Sequence, residues 1–94
     1  MPERPRWTFL TSHGFVLLEV TRAPGATVRQ IAERSGLTER QTHRVLADLV
    51  ADGYVTRARV GRRNQYRVDD SLPMRHQILA EHAVGDLLAA LSSA

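Results

Sequence analysis

The sequence has no cysteine and no lysine. The first absence excludes disulfides, thiolate zinc sites and cysteine nucleophiles. The second makes all thirteen cationic side chains arginine. Arginine presents a planar fork that matches phosphate and guanine edges, a geometry the lysine ammonium lacks. An arginine-rich genome would also leave lysine out, but it would not cluster the arginines. No apolar run approaches the roughly 20 residues of a membrane span. The opening MPERPRWTFL lacks the apolar core of a signal peptide, so the expected location is the cytoplasm. No glycine-rich phosphate loop, metalloprotease motif or nucleophile elbow occurs. The four histidines, His13, His43, His76 and His82, are scattered and make no triad. These absences argue against an enzyme and call for no cofactor. There are no internal repeats and no low-complexity segment.

A chain of 94 residues makes one small domain. At this size only about 60–65% of the unfolded surface is buried, so a single copy is marginal and gains core by pairing. The net charge of +3 is modest but unevenly placed. Nine arginines fall between Arg29 and Arg67 against four acids (Glu33, Glu39, Asp48, Asp52), so that segment carries +5.

Residues 1–11 read as a loose N-terminal arm with an apolar stretch at Trp7–Leu10, extended and packed against the body or a partner chain. Thr11 or Ser12 can cap a first helix running to about Arg22, with Phe15, Leu17, Leu18 and Val20 inward. Ala23-Pro24-Gly25-Ala26 ends it. Thr27-x-x-Gln30 and Thr38-x-x-Gln41 are two capping boxes, in which each side chain satisfies the other residue's free backbone N–H. Between them, Ser35-Gly36 closes a short second helix, with Gly36 suited to a left-handed cap. The third helix places Thr42, Val45, Leu46, Leu49 and Val50 at helical spacing and ends at Gly53. Tyr54–Val60 and Gln65–Val68, around Gly61-Arg62-Arg63-Asn64, read as a β-hairpin. Pro73 fits the first turn of a last helix reaching about Leu91. The fold class is therefore mainly α with a small hairpin. Residues 12–68 form a winged helix-turn-helix, and 69–94 hold a dimerisation helix.

That layout puts the third helix in a DNA groove and the hairpin on the neighbouring backbone. Arg40, Gln41, His43 and Arg44 lie near the start of the third helix, on the face away from its leucines. Arg40 or Arg44 can pair with guanine, and Gln41 can pair with adenine. Thr38 is a cap that can also touch phosphate, and the helix N-terminus favours an anion. The competing roles are plain. Arg44 can pair with Asp48 at i+4, and Gln41 can instead serve as the partner in its capping box. In the hairpin, Arg57 and Arg59 share a face by alternation, and Arg62, Arg63 and Asn64 form the tip. With Arg67 they make five like charges within eleven residues, which repel unless a polyanion is present. The plainer role of such charge is to blunt a sheet edge. Tyr66 and Val68 read as anchors to the core.

The run Ile31-Ala32-Glu33-Arg34-Ser35-Gly36-Leu37, then Arg44, Leu46, Leu49, Gly53-Tyr54-Val55 and Gly61-Arg62-Arg63-Asn64, resembles bacterial winged-helix transcription regulators of the MarR and ArsR kind. The resemblance covers roughly residues 12–68. It implies a homodimer on a pseudo-palindromic operator, with helices outside the motif forming the dimer. It implies that Arg40, Gln41 and Arg44 read bases, while Arg62 and Arg63 contact phosphate or the minor groove. Trp7 and the last-helix residues Ile78, Leu79, Val84, Leu87, Leu88 and Leu91 are the expected dimer contacts. Such proteins are usually longer, and little chain is left here for an effector pocket. Metal sensors of the ArsR kind often use cysteines, which are absent; His82 and Asp86 at i, i+4, near His76, are the nearest substitute. The expected function is a DNA-binding regulator, most simply a repressor. The alternatives are a winged-helix protein-interaction module and a small metal-responsive regulator.

Overall fold

Three helices form where apolar residues recur at helical spacing behind a threonine cap. In the computed structural model, which describes residues 5–92, these are α1 (Ser12–Arg22), α2 (Val28–Ser35) and α3 (Glu39–Ala51). Thr11 caps α1 by accepting from the Gly14 N–H at 3.2 Å. Thr27 and Thr38 close complete capping boxes on α2 and α3. Gly36 ends α2 at φ 72°, a backbone state that glycine enters without steric cost. Two strands follow, β1 (Val55–Val60) and β2 (Arg63–Val68), paired antiparallel from Val55↔Val68 to Val60↔Arg63. Their turn is only Gly61-Arg62. The positive φ at Gly61, with none at Arg62, is the type II′ pattern that suits a twisted hairpin. Arg63 and Asn64, expected in the loop, are therefore strand residues.

The core gathers Val16, Val20, Ile31, Val45, Leu46 and Leu49 from the helices with Val55 and Tyr66 from the hairpin. Val16 is fully buried, whereas Phe15, expected inward, is only partly so. The packed face of α1 runs through Val16, Leu17 and Val20, spaced three and four apart, and Phe15 lies on its flank. Val50 of α3 likewise sits at the rim of the core rather than in it. The Tyr66 N–H donates to the Pro24 carbonyl, tying β2 to the α1–α2 loop.

The single helix expected over 73–91 does not form. Pro73 instead pairs with Ala83 in an isolated antiparallel bridge, Gln77–Leu79 make one 3-10 turn, and the last helix, α4, spans only Val84–Ser92. Backbone bonds close this segment on itself, with the Met74 N–H donating to His82 O at 3.0 Å and the Val84 N–H to Leu72 O at 2.8 Å. Gly85 permits the closure: its N–H reaches Asp70 O at 2.9 Å, and a Cβ there would stand 2.7 Å from the same oxygen. The Tyr54 hydroxyl donates to the Pro73 carbonyl and holds the other side. Asp69 anchors the start by accepting from the Ser71 hydroxyl and N–H, which hold its carboxyl below the usual range. The dimerisation helix assigned to 69–94 thus shrinks to α4. Ile78 and Leu79 leave the face they were expected to share with Leu87 and Leu91. Val84 and Leu88 are buried in the chain's own core. His82 lies outside α4, so its helical i, i+4 relation to Asp86 is lost.

Candidate nucleic-acid interface

Helix α3 has a sharply divided surface. Thr42, Val45, Leu46 and Leu49 are buried, and the Thr42 hydroxyl turns back to donate to Thr38 O at 2.9 Å. Arg40, Gln41, His43, Arg44 and Ala47 are exposed. The turn from α2 is held by the Leu37 N–H donating to Ala32 O at 3.0 Å, with Leu37 packed against the core. This fixes the angle at which the start of α3 projects.

Thr38 and Gln41 are both engaged. The Gln41 N–H donates to Thr38 Oγ1 at 3.0 Å, and the Thr38 N–H donates to Gln41 Oε1 at 2.9 Å. Bidentate pairing with adenine needs the Gln41 oxygen and nitrogen together. With the oxygen committed to the cap, Gln41 keeps only its amide donors for DNA. Thr38→Ala should cost about 1 kcal/mol of folding stability, measured as a lower midpoint in urea denaturation.

The arginines fall into two groups. Arg22 and Arg34 lie beside Glu19, Arg29 beside Glu33 and Arg75 beside Asp52. Among the described residues, Arg40, Arg44, Arg57, Arg59, Arg62, Arg63 and Arg67 have no carboxylate partner, nor does Arg6 in the arm. Asp48, one turn beyond Arg44, does not pair with it; its Oδ2 lies 2.8 Å from His13 Nε2 instead. The unpaired set, Arg6 aside, is confined to α3 and the hairpin. Exposed like charges held this close repel, and an anion relieves them.

The register divides the hairpin arginines between its faces. Arg57 opposes Tyr66 and Arg59 opposes Asn64, so Arg57, Arg59 and Asn64 share the face of Val55 and Tyr66. Arg63 opposes Val60 and Arg67 opposes Thr56, on the reverse face. Arg62 stands in the turn. The expected cluster of Arg62, Arg63 and Asn64 is therefore opened out, with cations on both sides of the hairpin. Arg67, counted in the hairpin's charge but not named as a contact, lies on the same face as Arg63.

Away from this surface, a cavity of about 580 Å³ opens between α1, α3, α4 and the 74–79 segment. Leu10, Leu17, Leu79, Leu87 and Leu91 line it, and His13, Asp48, Asp52 and Arg75 stand among its polar groups. In the arm that leads to Leu10, Trp7 and Phe9 stack edge to face with centroids 5.0 Å apart, and both are largely exposed. No helix among the described residues is long and apolar enough to cross a membrane.

The family model of the MarR family matches residues 9–63, more than half of the chain. No curated protein matches it. The matched span runs from the arm through α1, α2 and α3 to the start of β2.

Proposed function

The chain belongs to the MarR family and is a DNA-binding transcription regulator, and we propose that it acts as a homodimeric repressor on a pseudo-palindromic operator. Helix α3 enters the major groove, where Arg40 and Arg44 pair with guanine edges and His43 reaches a base or phosphate. Gln41 contributes its amide donors and Thr38 the capped, anion-favouring start of the helix. The hairpin is the wing. Arg57, Arg59, Arg62, Arg63 and Asn64 contact the sugar-phosphate backbone or the minor groove, with Arg67 available beside them. Occupying an operator needs no surface beyond this one, which is why repression is the simplest output.

The observation that carries this reading is the partition of the arginines. Those that brace the helices and the 69–83 segment are paired with acids, while those on α3 and the wing have none among the described residues. A protein-interaction module would present an apolar or acidic face on α3, and this one is cationic. Titration of a labelled duplex at rising salt tests the reading. Affinity should fall steeply and linearly in log–log form, with a slope of about −0.9 per phosphate contact. Salt-independent binding, or none, would overturn it.

The dimer reading draws on a different surface. Trp7 and Phe9 are exposed aromatics in the arm whose Leu10 lines an apolar cavity, and a two-fold interface suits a surface that carries both knob and hole. Leu79, Leu87 and Leu91 complete that face, whereas Val84 and Leu88 act from within each copy. Sedimentation should give a dimer at micromolar concentration, and Trp7→Ala should shift it toward monomer. A monomer in the unsubstituted protein would sink the dimer. In the dimer the two α3 helices should stand about 34 Å apart, one helical turn of DNA.

A further inference from the structure

We infer that His13 is a positioning residue for DNA reading: by holding Asp48 it keeps the Arg44 guanidinium unpaired. The inference rests on Arg44 reading a base, as proposed above. Asp48 stands one turn after Arg44 on α3, the spacing at which a carboxylate and a guanidinium meet on a helix surface. From the sequence alone that pair is expected. Instead, Asp48 Oδ2 lies 2.8 Å from His13 Nε2, and Arg44 has no acid partner among the described residues. A carboxylate only accepts hydrogen bonds, so the histidine donates through its Nε2–H.

His13 comes from the first turn of α1, which packs against the back of α3. Its bond therefore draws the Asp48 carboxylate toward the body and away from the exposed Arg40–Arg44 face. The next carboxylate along that flank, Asp52, is drawn off in the same way by Arg75. Asp48 on α3 and Asp52 at its C-cap are thus both engaged.

The exposure of the His13–Asp48 pair argues that this is its use. Within one copy the side chains are 47% and 57% exposed, and contacts so open to water add little to folding. Because the pair also lines the cavity given to the dimer, Asp48→Ala and the double variant separate its effect on Arg44 from any effect on pairing. The same openness would let Asp48 swing to Arg44 once His13 is gone. An exposed helical pair of that kind holds its partner by about twofold, which is the share of Arg44 removed from DNA.

The test is a set of competition titrations with a duplex selected from a random pool, against a scrambled duplex of equal length. The readout is the selectivity ratio, in which a general change of protein charge cancels. His13→Ala should lower the ratio about twofold. Asp48→Ala should not lower it, the double variant should regain the original ratio, and His13→Gln, which keeps a donor, should retain it. Arg44→Ala should matter less in the His13→Ala background than in the unsubstituted protein. If the pair were only a structural tie, His13→Ala and Asp48→Ala would lose selectivity equally and the double variant would recover nothing, which overturns the inference. If Arg44→Ala leaves selectivity unchanged in the unsubstituted protein, the base-reading assignment falls and the inference with it.

Discussion

Arg44→Ala should weaken binding to the selected duplex by about 1–3 kcal/mol, roughly 5- to 150-fold, while scrambled duplex loses no more than one phosphate contact's worth. The expectation follows from where Arg44 stands. It lies in the second turn of α3, on the exposed face, behind a cap that fixes the helix start, with no carboxylate among the described residues competing for its fork. A guanidinium that is bidentate to guanine O6 and N7 loses both bonds on truncation, and the guanine is left desolvated. Because that contact depends on the base, the loss should fall on the selected sequence. Competition titrations against both duplexes measure it. Equal losses on both would reassign Arg44 to the backbone.

The paired substitution Arg62→Ala with Arg63→Ala should behave in the opposite way. Affinity should fall for every sequence, by about tenfold at low salt, with selectivity nearly unchanged. The dependence of log affinity on log salt should flatten by about two, since each phosphate contact contributes a slope of about −0.9. Arg62 stands in the two-residue turn and Arg63 begins β2 on the face away from Asn64. One substitution therefore removes charge from the tip and the other from one flank. An unchanged slope would remove the wing from the DNA surface. A selective loss would make it a reader of base edges.

These two expectations separate roles that the sequence already suggested, because the signals for them are local. Threonine three residues before glutamine writes a helix start, and both capping boxes formed. Glycine at 36 writes a left-handed helix cap, and it adopts a positive φ. The inward residues of α3 follow from a 3.6-residue period. Such features need no knowledge of the rest of the chain.

What was not legible depends on distant partners. The 73–91 segment carries apolar residues at helical spacing, and Pro73 suits a first turn, so its local pattern favours one helix. Backbone bonds from Leu72, Asp70 and His82, and the close approach allowed by Gly85, override that preference. Competition for side chains was equally hidden. Nothing in the sequence distinguishes Asp48 bound to Arg44 from Asp48 bound to His13, thirty-five residues away. Gln41 had two roles open, and the cap has taken its oxygen. The split of wing arginines between two faces depended on the loop being two residues rather than four.

The proposed assembly is two copies of this chain that read a duplex through α3 and grip it through the wing. Sequencing the duplexes retained from a random pool addresses it most directly. The retained set should converge on an inverted repeat, with guanine-containing half-sites centred one helical turn apart, about 10 base pairs. A pool that shows no enrichment, or that enriches only a single unrepeated site, would contradict it.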